Sequence, residues 1–233
     1  MNKTKNPHRN QGCDIKIILV GNSNSGKTSI ANRWTKDQFS PFYKATIASE
    51  FSYKLFEHEG IYYKIHLWDL AGQDKSIKVT RVFCNDAHGV IVVSDITKMS
   101  NLKDLKDTLE WKNSISEVSK FMDGSDLPMI LLENKVDLIE EDNSDININD
   151  MIKSGELCSK NDFLAIYRTS AKKNININES ITFLIKYIIE KLEKISQDEM
   201  NEIKNKKNEK ISIGYGRSSS FVSIKEKKSG GCC

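Results

Sequence analysis

Residues 21–28 carry the residue types that hold phosphate groups in proteins. Their sequence, Gly-Asn-Ser-Asn-Ser-Gly-Lys-Thr, fits the pattern G-x-x-x-x-G-K-[ST]. The two glycines allow the backbone to curl so that successive N–H groups face an anion, at the positive end of the next helix. Lys27 would reach the β- and γ-phosphates of a nucleotide, and the Thr28 hydroxyl would bind Mg²⁺. A plain glycine turn with an exposed lysine is the alternative, and the loop leaves the base open, because ATPases, kinases and GTPases all use it.

A second group of chemically active residues lies at 69–73, within the sequence Trp-Asp-Leu-Ala-Gly-Gln that begins at Trp68. Asp69 ends an apolar segment and could hold Mg²⁺ through a water molecule. The Gly72 N–H could meet the γ-phosphate, and Gln73 could orient an attacking water molecule. Alone, this segment would be a strand end and a turn. Its position after a phosphate-binding loop favours the chemical interpretation.

Two further segments bear on the choice of base. Residues 134–137, Asn-Lys-Val-Asp, follow an apolar run, and residues 170–172, Ser-Ala-Lys, follow the last predicted strand. A carboxylate such as Asp137 can accept two hydrogen bonds from a base edge with N1–H and N2–H₂, which guanine has and adenine lacks. Residues 170–172 would offer a backbone N–H to guanine O6. Both segments lie at the C-terminal ends of predicted strands, where ligands bind in open α/β sheets.

The elements that must position these residues alternate between strands and helices. Short apolar runs predict strands at residues 15–20, 90–94, 129–132 and 163–167. Apolar and polar residues alternate on both sides of a Glu59-Gly60 turn, which predicts a hairpin of residues 51–56 with 62–68. Helical stretches occur at residues 28–36, 102–120 and 179–195. This order predicts an α/β fold with a mostly parallel, six-stranded sheet and helices on both faces.

Charge divides the chain into two parts. The net charge of the 233 residues is +3, but residues 204–233 hold eight basic and two acidic side chains and so carry +6, which leaves −3 for the rest. A mildly acidic body argues against nucleic-acid binding, and the basic tail would be attracted by an anionic surface or would simply be solvated. We expect a flexible segment at 1–12, one domain at 13–195 and a disordered basic tail at 196–233.

Composition excludes several classes of site. No apolar run is long enough to span a bilayer, and residues 1–10 are polar, so we expect a protein of the cytosolic compartment. Cys13, Cys84 and Cys158 are scattered singly, which predicts free thiols without disulfides. The four histidines are dispersed and have no spacing typical of metal binding or catalysis.

Together, these motifs resemble the Ras superfamily of small GTPases over about residues 13–195. The resemblance implies a P-loop GTPase fold and slow hydrolysis of GTP to GDP with Mg²⁺ as cofactor. By position, Phe39 is similar to the aromatic residue that packs on the guanine edge, and Thr46 to the switch I threonine that binds Mg²⁺ only with GTP. Residues 43–47 and 69–73 would be the two switches.

The motifs and this resemblance give a set of expected site residues. Gln73 is the catalytic residue, and Thr28, Thr46 and, through water, Asp69 bind the metal. The expected nucleotide-binding residues are Gly21, Asn22, Ser23, Asn24, Ser25, Gly26, Lys27, Thr28, Ser29, Phe39, Thr46, Asp69, Gly72, Asn134, Lys135, Asp137, Ser170, Ala171 and Lys172.

Within the superfamily the chain looks most like a Rab, and more loosely like the Rab subgroup linked with lysosome-related organelles. The cues include Ser23, Thr46-Ile47, residues 94–97 and the terminal Cys232-Cys233. This likeness implies a switch in vesicle trafficking, prenyl groups on both terminal cysteines and a place on the cytoplasmic face of an intracellular membrane, in exchange with the cytosol. It also implies a monomer whose partners are effectors, exchange factors, GTPase-activating proteins and a GDP-dissociation inhibitor.

The chain departs from the Rab pattern at several positions. Ala48-Ser49-Glu50 replaces Gly-Val-Asp, Asp74-Lys75-Ser76 replaces Glu-Arg-Phe, and Glu133 stands where a small residue is usual. Asn22 and Asn24 stand where Asp and Gly are common. We expect the switch changes to affect partner choice more than nucleotide binding. Asn24 should preserve the loop, since Asn tolerates a positive φ better than other non-glycine residues.

Two other functions compete with that of a switch. A nucleotide-bound scaffold without hydrolysis would explain the unusual switch residues, but Thr46 and Gln73 argue against it. A P-loop kinase or ATPase is disfavoured, because residues 134–137 and 170–172 would then have no function in binding the base.

Overall fold

The structure, a computed structural model, describes residues 11–72, 77–98, 102–141 and 163–215. Its strands are β1 (Gln11–Val20), β2 (Ser49–His58), β3 (Ile61–Leu70), β4 (Gly89–Asp95), β5 (Met129–Asn134) and β6 (Ala165–Thr169). Its helices are α1 (Lys27–Lys36), α2 (Ile77–Cys84), α3 (Leu102–Val118), α4 (Val136–Glu141) and α5 (Ile177–Tyr215), with a 3₁₀ turn at Ile96–Lys98. Helices α2 and α4 were not predicted, because they are too short to show a helical period.

The six strands form one sheet in the order β2-β3-β1-β4-β5-β6. Strands β2 and β3 pair antiparallel around the predicted Glu59-Gly60 turn, and all other pairs are parallel. The predicted mostly parallel, six-stranded sheet is therefore confirmed. Because β1, β3, β4, β5 and β6 run in the same direction, their carboxyl ends meet at one edge, where the predicted phosphate, metal and base segments all begin.

Apolar residues cover the central strands from both faces. In β4, consecutive residues from Val90 to Val93 are buried, although their side chains point alternately to opposite faces of the sheet. The apolar stripe of α5, which includes Ile181, Leu184 and Ile188, is also fully buried. A Cβ atom added at Gly89 would lie 2.7 Å from Ile188 Cδ1. This helix therefore packs directly against the start of β4, which supports the sheet beneath the site.

Helix α5 extends beyond the predicted domain end. We predicted disorder from residue 196, but the helix continues to Tyr215, so that prediction was wrong for residues 196–215. The described residues divide into two units, one up to residue 190 and one from residue 191 onward. The prediction relied on apolar periodicity, which marks a helix face packed on a core. Residues 196–215 are rich in Glu, Lys and Asn, and a helix of such residues carries no apolar stripe.

Within the described ranges, no helix combines the length and apolar character needed to cross a bilayer.

Candidate nucleotide-binding site

A cleft of about 490 Å³ opens at the carboxyl edge of the sheet, within the range typical of small-molecule sites. Fourteen of the expected residues line it: Ser23, Asn24, Gly26, Lys27, Thr28, Ser29, Phe39, Thr46, Gly72, Asn134, Lys135, Asp137, Ala171 and Lys172. The expected nucleotide-binding residues that do not line the cleft are Gly21, Asn22, Ser25, Asp69 and Ser170. Lining residues that the sequence did not predict as nucleotide contacts are Asn32, Gln38, the stretch 40–45, Glu50 and Leu138.

The phosphate loop has the backbone conformation that its composition predicts. Gly26, just before α1, has a φ of 99°, and a Cβ atom there would lie 2.2 Å from Asn134 Nδ2. Only glycine fits this position without displacing the Asn134 amide. Asn24 has a φ of 62°, which confirms that this asparagine occupies a left-handed position. The amino end of α1 has no side-chain cap hydrogen bond, and residues 27–29 of its first turn line the cleft, as a helix-end anion site requires.

Lys27 is a buried cation in this loop. Its Nζ donates to the carbonyl oxygens of Gly21 at 2.9 Å and Asn22 at 3.0 Å. Burial lowers the pKa of Lys27 to about 8, and the negative charge of Asp69 opposes this shift. A phosphate in the cleft would favour the charged form of Lys27, since an anion nearby restores what burial removes.

The three expected metal ligands lie together. The Thr28 hydroxyl donates to Asp69 Oδ2 and lies 2.9 Å from the Thr46 hydroxyl, which in turn lies 3.5 Å from Asp69 Oδ2. Burial raises the pKa of Asp69 to about 6, and the Thr28 hydrogen bond and the charge of Lys27 oppose the rise. The second oxygen, Oδ1, is buried without a hydrogen-bond partner. An all-oxygen cluster with an unsatisfied carboxylate oxygen fits Mg²⁺.

Gly72 closes the phosphate end of the cleft. A Cβ atom at this position would lie 2.5 Å from the backbone N of Ser23 and 2.7 Å from the carbonyl oxygen of Gly21. The segment after β3 therefore touches the phosphate loop through backbone atoms, and a side chain at residue 72 would separate them.

The base end is built from buried polar residues on β5, on α4 and after β6. Asn134 Nδ2 donates to the carbonyl oxygen of Ser25 at 2.9 Å, and its Oδ1 accepts from the Ala171 N–H at 3.2 Å. Ser170 Oγ donates to Asp137 Oδ1 at 2.5 Å. Asp137 Oδ2 lies 3.7 Å from Lys172 Nζ. These bonds tie the phosphate loop, β5 and the segment after β6 into one network.

Asp95 is a supporting residue that sequence reasoning missed. Its Oδ2 forms an ion pair with Lys135 Nζ at 2.8 Å, and its Oδ1 accepts from the Thr97 N–H at 3.1 Å. Lys135 has a φ of 72°, so the ion pair helps to hold a strained backbone at the cleft. Residues 94–97 were used only as a cue for the Rab resemblance, and an acidic residue at the end of a strand does not by itself indicate which residue it pairs with.

The unusual residues of this chain have specific surroundings. Asn22 accepts a hydrogen bond from Trp111 Nε1 at 3.2 Å and donates to Asp107 Oδ2 at 3.1 Å, so it attaches the phosphate loop to α3. Glu133 is buried beside Arg168, whose Nε lies 3.3 Å from Oε2, while Oε1 has no partner. Nothing in the structure explains that unsatisfied oxygen.

Several sequence expectations fall outside the described residues: Gln73, residues 74–76, Cys158, residues 1–10, Cys232 and Cys233. Cys13 and Cys84 are free thiols, as predicted. Among the residues that the structure describes, no cluster of three or more His, Cys, Asp or Glu side chains could hold a metal ion.

Comparison with known proteins agrees with this geometry. The Ras family matches residues 16–190. The chain is 35% identical to the Ras-related protein Rab-32 of Sus scrofa, over 75% of this chain and 74% of that protein. It is 35% identical to Rab-32A of Dictyostelium discoideum, over 80% and 84% of the two chains, and 31% identical to human Rab-7L1, over 73% and 80%.

The chain belongs to the Rab family of the Ras superfamily of small GTPases. It is accordingly an enzyme that hydrolyses GTP, uses GTP, GDP and Mg²⁺, and acts as a switch in membrane trafficking. As a Rab, it interacts with regulators and effectors and works in association with membranes.

Proposed function

We propose that the cleft holds one guanine nucleotide, with its phosphates over residues 21–28 and its base between Phe39 and residues 170–172. The observation that carries this proposal is the arrangement of one cleft with a Thr28–Thr46–Asp69 oxygen cluster at one end and Asp137 at the other. Asp137 is 3% exposed, so it offers a desolvated carboxylate to a base edge with two donors.

Residues of this chain carry the remaining steps. Thr28, Thr46 and, through water, Asp69 would hold Mg²⁺, which when bound neutralises charge on the β- and γ-phosphates. Lys27 and the N–H groups at the start of α1 bind the phosphates, and the Gly72 N–H meets the γ-phosphate. Gln73 orients the attacking water. No described residue that lines the cleft is an arginine, which supports a role for an activating partner that supplies the missing positive charge.

Nucleotide release and turnover test this assignment. The purified protein should retain GDP, bind GTP and GDP with Mg²⁺, and bind ADP negligibly; chelation of Mg²⁺ should accelerate GDP release. Unassisted hydrolysis should be on the order of 10⁻⁴ to 10⁻³ per second. Gln73→Leu should slow single-turnover hydrolysis and leave GDP affinity unchanged, whereas Gln11→Leu, at an exposed position that does not line the cleft, should change neither the rate nor the affinity. Equal rates in Gln73→Leu and wild type would remove Gln73 from the mechanism.

The partner surface that we propose lies on the outer strand β2. Phe51, Tyr53 and Leu55 alternate along one face and are 52%, 56% and 62% exposed. Phe51 packs edge-on against Trp68, with ring centroids 5.3 Å apart, so the patch continues onto β3. Large apolar side chains exposed next to the switch threonine suit effectors that must sense the nucleotide state. Effectors, exchange factors, activating proteins and a GDP-dissociation inhibitor are the partner classes.

The carboxyl-terminal residues supply the membrane attachment that we propose. Cys232 and Cys233 would each carry a prenyl group, with Lys225, Lys227 and Lys228 nearby to favour an anionic cytoplasmic leaflet. Two lipid chains, or one chain with a basic patch, anchor stably, whereas one chain alone does not. The protein would act as a monomer on the cytoplasmic face of an intracellular membrane and exchange with the cytosol.

Replacing both terminal cysteines with serine should make the protein soluble in cells and leave GTP binding intact. Cys13→Ser, which removes an exposed thiol elsewhere, should keep the protein in the membrane fraction. If the double variant remains in the membrane fraction after a high-salt wash, lipid on these cysteines is not what holds it there.

A further inference from the structure

Arg33 on α1 contacts two segments that flank the base end of the cleft. Its Nε donates to the carbonyl oxygen of Ala171 at 2.9 Å, and Nη2 donates to that of Lys172 at 3.3 Å. Its Nη1 donates to the carbonyl oxygen and to Oδ1 of Asp37, each at 3.0 Å. The Arg33 side chain is 15% exposed, so water competes little for these bonds.

Both segments lead to groups that face the cleft. Asp37 ends α1 with a φ of 53° and precedes Gln38 and Phe39, which line the cleft. Ala171 and Lys172 line it from the other side. One guanidinium therefore fixes the distance between the two walls of the proposed base pocket.

The bonds to residues 171 and 172 orient a peptide plane. Ser170 and Ile175 exchange two backbone hydrogen bonds, at 3.1 and 3.0 Å, which close the turn at its base but leave its tip to other contacts. The C=O of Ala171 and the N–H of Lys172 belong to the same planar peptide unit. Holding that carbonyl group toward α1 therefore directs the N–H of Lys172 the opposite way.

We propose that Arg33 is a positioning residue for guanine selection: it sets the orientation of the 171–172 peptide, so that a backbone N–H meets the acceptor at position 6 of the base. This inference rests on the guanine site proposed above. Arg33 acts through the loop, because four of the bonds that its donors can make are already directed to residues 37, 171 and 172. Lysine cannot replace it, since one ammonium group cannot span three carbonyl oxygens in a fixed fork.

Three nucleoside diphosphates distinguish contacts to position 6 of the base from contacts to the rest of the base. GDP, 6-thio-GDP, which has a poorer acceptor at position 6, and IDP, which lacks the 2-amino group, are titrated into Arg33→Gln, Arg33→Lys and wild type. Both variants should bind GDP about tenfold more weakly. Their preference for GDP over 6-thio-GDP should shrink at least about threefold, and their preference for GDP over IDP, which depends on Asp137, should stay as in wild type.

Lys36→Gln is the matched control, because it removes an exposed cation from the last turn of the same helix, and it should change neither preference. If the preference for GDP over 6-thio-GDP is unchanged in a folded variant, or if both preferences fall together, the positioning role is overturned. Arg33→Lys serves as the second variant if Arg33→Gln does not fold. If wild type itself fails to prefer GDP over IDP and ADP, the proposed guanine site fails instead.

Discussion

The two ends of the nucleotide cleft differ in how firmly they are held. At the base end, three polar residues are at most 3% exposed, namely Asn134, Asp137 and Ser170. Ser170 donates a hydrogen bond to Asp137, and Asn134 accepts one from the backbone N–H that follows Ser170. At the phosphate end, the Thr46 side chain has hydrogen bonds only with Thr28 and Asp69 among the described residues, and its neighbour Ile47 is 86% exposed. A buried network is held by contacts within the protein, whereas a segment held by few polar contacts can respond to a change of ligand. In the proposed site, guanine recognition and switching would thus be separated in space.

The largest effect should come from the buried end. Asp137→Asn replaces a carboxylate with an amide that presents a donor to the base, so GDP affinity should fall on the order of a hundredfold or more, with a shift toward xanthosine diphosphate. Competition titration with the two nucleotides measures this change. Asp126→Asn, at an exposed aspartate away from the cleft, should change nothing. Unchanged guanine preference in Asp137→Asn would show that the carboxylate does not read the base.

A smaller and selective effect is expected at the exposed end. Thr46→Ala removes the hydroxyl that meets Thr28, so affinity for GTP with Mg²⁺ should fall about tenfold, whereas affinity for GDP should change less than about twofold. Thr46→Ser, which keeps the hydroxyl, should restore GTP binding. Equal losses for both nucleotides would mean that Thr46 is a fixed part of the site and that the two ends do not differ as described.

The contact between the phosphate loop and α3 should have a moderate effect on both nucleotides. Asn22→Asp would place a carboxylate 3.1 Å from Asp107 Oδ2, where the asparagine amide now donates. Repulsion should displace the loop and weaken GDP and GTP about fivefold each, by roughly 1 kcal/mol. Asp107→Asn added to that variant should restore binding, because the new amide on α3 can donate to the carboxylate introduced at position 22. No recovery in the double variant would exclude charge repulsion as the cause.

The smallest effect concerns strain next to switch I. Ala48, where the family commonly has glycine, has a φ of 59°. Ala48→Gly should therefore stabilise the protein by about 0.5–1 kcal/mol, seen as a higher Tm, because glycine tolerates the left-handed region. Ala45→Gly, at a residue without a positive φ, should lower Tm through the added freedom of the unfolded chain. A lower Tm in both variants would show that residue 48 carries no strain.

Sequence patterns predicted the residues of the base end better than the residues whose contacts hold them in place. Asp137 and residues 170–172 could be proposed from the sequence because their chemistry is local and each follows a predicted strand, and Asp137, Ala171 and Lys172 line the cleft. The bonds of Asp95 to Lys135, of Asn22 to Trp111 and of Arg33 to Ala171 join residues between 40 and 138 positions apart. No pattern in a single sequence pairs such positions. The short helices α2 and α4 and residues 196–215 of α5 were not predicted as helices, because α2 and α4 are too short to show a helical period and residues 196–215 carry no apolar stripe, which marks packing against a core.

Strand β2 also governs how the protein behaves at high concentration. It ends the sheet, so one side of its backbone has no strand neighbour within the described residues. An edge of this kind, with Phe51, Tyr53 and Leu55 exposed, is a template for pairing with another molecule. Charged Glu50, Lys54 and Glu57 interrupt the apolar side chains along the strand, and the cost of removing these charges from water limits such pairing. Because sulfate and phosphate salts strengthen apolar burial, the protein without a partner should be most prone to self-association in concentrated solutions of such salts.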